Sequence, residues 1–343
     1  MTPDLQARRS DIHLRELINV PNSNEYTYTD EQVNAAFSDI SASLFKDKVI
    51  SPTHPKMLIV AGIQGSGKTW LLEESLLKTG KYSNYIRLYL PEYRKKHPQY
   101  SQMEAHGVLH VYQHTEAFVR AVCAKIFKKA FDEKYNIIME SAMDSADFAT
   151  LSPMAVSAGY QFEVHVVACK KEFTHLSTIT RGLKSLQDKQ LERFLKLSEL
   201  EASLGNAQSV LNAFEEACAQ KVGSEITLYE RGFGELKNRK VVCRSQCDTV
   251  AQLTPQSVVD HKGATVAVTD NPVAIERAPG KTSRSCYAAY NNIVSAEVSL
   301  RRDRREMVWD CQLALLEALR LNNQVPAFVN TDLVGYVFKH LHH

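Results

Sequence analysis

The residues with the clearest chemical meaning are Gly62-Ile63-Gln64-Gly65-Ser66-Gly67-Lys68-Thr69. They fit G-x-x-x-x-G-K-[ST], the pattern of a loop that holds the phosphates of a nucleotide. Glycines let the backbone curl so that successive N–H groups face inward, toward phosphate oxygens. The start of a following helix adds partial positive charge. In such a loop Lys68 reaches the β- and γ-phosphates, and Thr69 offers its hydroxyl to Mg²⁺. The expected ligands are Mg²⁺ with ATP or GTP. The sequence has no N-K-x-D guanine-reading motif and no long strand ending in two acids.

This chemistry needs the loop to run from a strand into a helix. Met57-Leu58-Ile59-Val60-Ala61 precedes it, an all-apolar run typical of a strand buried on both faces. Trp70 to Leu77 follows with helical character. Apolar runs at Tyr85 to Leu90, Ile137 to Met139 and Phe162 to Ala168 predict further strands, and Glu225 to Tyr229 a fifth. Helical patterns separate them, notably Thr115 to Phe131 and Leu191 to Cys218. The alternation implies an α/β fold, a mostly parallel sheet covered by helices. Upstream, Thr29-Asp30-Glu31-Gln32 offers an N-cap, and Val33, Ala36, Phe37, Ile40 and Leu44 recur at helical spacing. Ser51-Pro52-Thr53-His54-Pro55 ends that helix. Residues 251 to 288 read as loop with short strands, and Asn291 to Leu321 as one long helix. Its Arg301 to Glu306 block reads as a solvated face in preference to a basic patch. The chain thus divides into an N-terminal helical segment (1–50), a core (51–250) and a C-terminal extension (251–343).

Composition sets outer bounds. The chain has 343 residues, 44% hydrophobic and 23% charged, which excludes fibrous and wholly disordered classes. A formal net charge of +2 gives no reason to expect nucleic acid or an anionic membrane as partner. No apolar run approaches the roughly 20 residues that span a bilayer, and the first residues carry no continuous apolar segment of the secretory kind. Seven cysteines, odd in number and scattered, fit a reduced cytoplasmic compartment. Cys243, Cys247 and His261 fall short of the four well-spaced ligands of a structural zinc site. His110 and His114 have metal-ligand spacing but no third ligand evident in sequence, so they read as surface helix residues.

Other groups converge on the loop. Glu140 ends an apolar strand on the side where the phosphate loop opens, the usual ligand crevice of such sheets. It could orient an acceptor hydroxyl or hold a water on Mg²⁺; a helix cap or structural ion pair is the plainer alternative. Asp144 and Asp147 follow it and could line the crevice, Asp147 equally as a cap. Arg181 and Arg193, twelve residues apart, lie on or near helices. Transferred phosphoryl groups need added positive charge in the transition state; a helical arginine is otherwise a solvated surface residue.

From Ser51 to Ser245 the chain resembles the zeta toxin family of small-molecule kinases, the toxin halves of bacterial toxin–antitoxin pairs. The features are ordered: Ser51-Pro52-Thr53 before the first strand, then the phosphate loop, then Tyr93-Arg94-Lys95-Lys96-His97-Pro98-Gln99-Tyr100 like the family's F-[RK]-x-x-H-P segment. The strand ending in Glu140 follows, then Ala158-Gly159-Tyr160 leading into Val164 to Ala168, then Thr178-Ile179-Thr180-Arg181 and Ser224 to Tyr229. The last 90 or so residues have no counterpart in the resemblance. It implies a P-loop kinase-like fold with helices on both faces of the sheet. It also implies transfer of the γ-phosphate of ATP or GTP to a sugar hydroxyl of UDP-N-acetylglucosamine or a related UDP-sugar, depleting cell-wall precursors in a bacterial cytoplasm, and a small antitoxin partner. Lys68, Glu140, Arg181 and Arg193 would be catalytic, with Glu140 contacting the acceptor and Arg181 facing the phosphates; Asp144, by its place after Glu140, and Glu92, as a replacement base, are added from the residues themselves.

One departure stands out. The family's general-base Asp falls seven residues before the Pro of the H-P pair, where this chain has Pro91; two residues earlier it has Tyr89. Neither replaces a carboxylate. Glu92 is adjacent, and Pro91 could end the strand and let Glu92 turn inward. A lost base slows a kinase by about 10²–10⁴ without abolishing transfer, because a loose phosphoryl transition state relies on positioning and charge. The alternatives are a kinase of NAD, as in a related plant-pathogen effector family, and a nucleotide-binding interaction protein without turnover.

Overall fold

Thr29 opens the first helix, α1 (Asp30–Leu44), with a reciprocal cap. Its hydroxyl accepts from the Gln32 N–H at 3.4 Å, and its own N–H donates to the Gln32 side chain at 2.9 Å. The structure, a computed structural model, describes residues 25–88, 90–145, 148–188, 194–233, 239–256, 258–259, 265–266 and 286–341. Tyr89, Asp147 and Arg193 lie outside these residues.

Strand β1 (Lys56–Ala61) enters the phosphate loop, and α2 (Lys68–Trp70) leaves it, continuing as a π turn over Leu71–Leu76 and a 3-10 turn over Leu77–Thr79. Next come β2 (Tyr85–Arg87), α3 (Leu90–Arg94), α4 (Tyr100–Glu104), α5 (Val108–Glu133), β3 (Asn136–Ser141) and α6 (Phe148–Ser157). Then follow β4 (Gln161–Ala168), α7 (Lys171–Gln187), α8 (Leu197–Ala219), β5 (Glu225–Arg231), β6 (Arg239–Thr249) and β7 (Gln252–Pro255). The C-terminal part adds α9 (Cys286–Val294), α10 (Arg301–Leu321) and α11 (Ala327–Leu341). A short pair, Val258–Val259 with Thr265–Val266, forms a second, two-stranded antiparallel sheet.

The seven strands lie in the order β2-β3-β1-β4-β5-β6-β7. Pairing is parallel from β2 to β5 and antiparallel at β5–β6 and β6–β7. Strand β1 is central, with Val60 opposite Glu140 on β3 and His165 on β4. Its side chains alternate between two cores, as the pleat requires. Met57, Ile59 and Ala61 pack with α1, α5, α6, α8 and α9. Leu58 and Val60 meet Leu71 and Leu72 of the helix behind the loop, with Tyr82 and Tyr85. Helices thus cover both faces, and the carboxyl ends of β1 and β3 form the crevice where the order of connections reverses.

Three sequence expectations are corrected. The second strand ends at Arg87, and Leu90–Arg94 is helical, so Pro91 and Glu92 lie on a helix and not at a strand end. Pro91 is tolerated because the first turn of a helix needs no N–H partner there. The long helix expected over Asn291 to Leu321 is two, Cys286–Val294 and Arg301–Leu321. The break lets them serve different cores: Cys286, Ala289 and Tyr290 pack in the main one, while Met307, Cys311 and Ala318 join Phe173, Leu176, Ile179 and Leu183 of α7 in a second. The helix expected from Thr115 begins earlier, at Val108.

The H-P segment is held by packing. The buried Arg94 guanidinium donates to Thr115 Oγ1 at 2.8 Å and to Glu116 at 2.6 Å. His97 is buried edge-on to Tyr28 and Phe118, with Nδ1 accepting from the Gln99 N–H at 3.1 Å. Burial pulls its pKa down to about 4. The folded state therefore resists a proton that the unfolded chain accepts near pH 6.5, so this contribution is complete above pH 6.5 and is lost as pH falls toward 4. Chemical denaturation between pH 7 and 4 should show a loss of about 3 kcal/mol from this residue, and His97→Gln should flatten that limb of the curve.

Candidate functional site

Glycine at position 65 is dictated by a neighbour as well as by the turn. Its φ is +86°, and a Cβ there would lie 2.5 Å from the Thr174 carbonyl of α7 and 2.7 Å from Thr178 Cγ2. Gly67, also left-handed at φ +90°, is the N-cap of α2 and accepts from the Leu71 N–H at 3.2 Å. Within the curl the Ser66 N–H donates to the Ile63 carbonyl at 3.1 Å. The Ser66 hydroxyl is fully buried with no hydrogen-bond partner.

The loop's carbonyls are held from outside by two arginines that face each other across β5 and β6. Arg231 donates to the Gly65 carbonyl at 2.6 Å and to Ser177 Oγ of α7 at 3.1 Å. Arg239 donates to the Gly67 carbonyl at 2.7 Å and lies 4.1 Å from the Trp70 ring centroid. Burial, then the neighbouring Arg231 charge, pulls the Arg239 pKa down to about 10, which leaves it protonated at neutral pH. Carbonyls engaged outward leave the opposite face of the loop to its N–H groups. From below, wholly buried Tyr290 of α9 stands beside Ile63 and Cys169.

At the mouth, Thr69 Oγ1 donates to Glu140 Oε2 at 2.7 Å. Glu140 Oε1 accepts from Arg87 Nη2 at 3.1 Å, and the same nitrogen donates to Glu73 at 3.0 Å. Burial works against the Arg87 charge, but the bonds to Glu73 and Glu140 hold its pKa above the ordinary value. Lys68 is desolvated, which lowers its pKa; Glu140 and Asp144 oppose that shift and Arg181 adds to it. Five predicted residues are therefore neighbours: Lys68, Thr69, Glu140, Asp144 and Arg181. Asp144 is exposed in the loop after β3, where buried Met143 takes a left-handed φ of 54°. A residue strained next to a ligand crevice is a common companion of function.

Glu92 is placed differently. It is exposed on α3, 3.5 Å from Lys95, and is not among the charges that act on Lys68. Arg193 and Asp147 lie outside the described residues. Arg87, Glu73, Arg231 and Arg239 were missed in sequence. A signal existed for Arg87 and Arg231, each a charge at the carboxyl end of an apolar strand, as Glu140 is. Arg239 opens a strand and carries no such mark.

The donors present fit a nucleotide and Mg²⁺. A hydroxyl and a carboxylate, hard oxygen ligands 2.7 Å apart, suit a small divalent cation. A lysine, an arginine and a loop with an unpaired buried hydroxyl suit phosphate.

Comparison with known proteins bears on the family and the fold. The zeta toxin family profile matches residues 41–240, more than half of the chain. No curated protein sequence matches. A solved chain from the PezAT chromosomal toxin–antitoxin system of Streptococcus pneumoniae superposes with a TM-score of 0.58 at 17% identity, covering 86% of this chain and 98% of that one. The crystal structure of AvrRxo1-ORF1:-ORF2 with ATP superposes with a TM-score of 0.50 at 10% identity, covering 98% of this chain and 94% of that one. The chain belongs to the zeta toxin family, P-loop kinase-like toxins of toxin–antitoxin systems.

Proposed function

We propose that this protein is a kinase that moves the γ-phosphate of ATP or GTP to a sugar hydroxyl of UDP-N-acetylglucosamine or a related UDP-sugar. The observation that carries the phosphotransfer reading is the 2.7 Å bond from the Thr69 hydroxyl to Glu140, with Lys68 and Arg181 beside it. The UDP-sugar comes from the family likeness. Thr69 and Glu140 would hold Mg²⁺, which would supply positive charge against the phosphates. Lys68 draws the β- and γ-phosphates into the loop, and the N–H groups of residues 62 to 69 grip their oxygens. Arg181, at the exposed mouth of the site, offsets charge on the phosphoryl group as it leaves. Arg193 and Asp144 belong to the same proposal, on the phosphates and the acceptor respectively. Glu140 can take the acceptor's proton as the oxygen–phosphorus bond forms. A small antitoxin protein that closes this nucleotide site is part of the same reading.

Incubation of the protein with Mg²⁺-ATP and UDP-N-acetylglucosamine should add the mass of one phosphate to the sugar nucleotide, and Lys68→Ala should abolish the product. No product from any UDP-sugar would refute the acceptor assignment. Phosphorylated NAD in the same assay would replace it. Tight ATP binding with no product from either would leave an interaction protein without turnover, the reading favoured by Pro91 and by Glu92 paired outward with Lys95.

Two variants test the parts. Glu92→Ala should leave the transfer rate nearly unchanged; a fall of about 10²–10⁴ would make Glu92 the base. Arg231→Ala removes the hold on the Gly65 carbonyl and should weaken ATP binding about tenfold, the equivalent of one charged hydrogen bond, as read by calorimetry.

A further inference from the structure

His110 and His114 stand one turn apart on α5, so both imidazoles lie on one side of the helix, with ring centroids 4.2 Å apart. The segment ahead of α1 passes over them and supplies the third ligand that the sequence did not reveal. Glu25 Oε2 is 3.7 Å from His114 Nε2. One ligand atom each from Glu25, His110 and His114 lie within 4.8 Å of one another. Zinc binds nitrogen and carboxylate oxygen at about 2.0–2.2 Å, so tetrahedral ligands sit about 3.3 Å apart. Side-chain rotation of about an ångström would close that difference.

The surroundings are those of a supported site. Tyr26, next to Glu25, is buried against Met103 and Val111. Its ring lies edge-on to both imidazoles, at 5.3 and 5.1 Å, and its hydroxyl is 2.9 Å from His110 Nε2. A hydroxyl on one ring nitrogen fixes the tautomer and orientation of a ligating histidine. The phosphate site uses none of these residues.

We propose that Glu25, His110 and His114 form a Zn²⁺ site with three protein ligands and a water in the fourth position. Two imidazoles and one carboxylate are the borderline donor set that suits zinc, and three such ligands leave one position open. The metal would fasten residues 25–29, ahead of α1, to α5, alongside the contacts of Tyr26 with both imidazoles and of Tyr28 with Phe118.

The test is a titration of the EDTA-treated full chain with zinc chloride, without nucleotide, followed by calorimetry and thermal melting. One equivalent should bind and raise the Tm. Glu25→Gln and His114→Gln should each weaken binding by at least the about 10–100-fold that loss of an outer partner alone produces, with unchanged circular dichroism in EDTA. Glu25 is exposed, so its variant separates loss of the metal from loss of fold. Absence of saturable zinc binding, or binding that both variants leave intact, would overturn the proposal.

Discussion

A Cβ at position 65 would sit 2.5 Å from a carbonyl of α7, so the phosphate loop and that helix can touch only because the residue is glycine. The other parts of the site depend on that contact. It sets α7 against the loop, and α7 carries Ser177, which Arg231 reaches while holding the Gly65 carbonyl, and Arg181, whose charge is felt at Lys68. A larger side chain would push α7, and with it Ser177 and Arg181, away from the loop.

Helix α7 is in turn fixed from its far side by the part of the chain the family likeness does not cover. Glu172 in its first turn pairs with His340 at 2.7 Å and Lys339 at 2.5 Å, both on α11. His175 Nε2 lies 2.9 Å from the Leu195 carbonyl, so that nitrogen must donate, and Nδ1 is left to accept from the Tyr336 hydroxyl at 2.7 Å. Phe173, Leu176, Ile179 and Leu183 fill the apolar seam with α10 and α11. Helix α9 takes the other direction and places Tyr290 under the loop at Ile63. Buried partners on two sides leave the loop little room to rearrange, and electrostatic catalysis gains most from groups already in position.

Charge at the site is balanced pairwise. Glu140 accepts from Thr69 and Arg87 and lies near Lys68, while Glu73 shares Arg87.

The sequence alone was sufficient for the loop, the central strands and Glu140, because each leaves a local mark: glycine spacing, an unbroken apolar run, an acid at a strand's end. It also carried the cap at Thr29, whose two bonds lie within four residues. What it did not contain was anything set by pairing across distance. Arg239 reaches Gly67 only because β6 runs antiparallel beside β5, and Glu25 reaches His114 only because the chain ahead of α1 crosses α5. The ends of the second strand and of the last helices were likewise decided by packing. Local pattern states which residues prefer an extended or helical backbone; which core each piece fills, and so where it must stop, depends on partners far away in sequence.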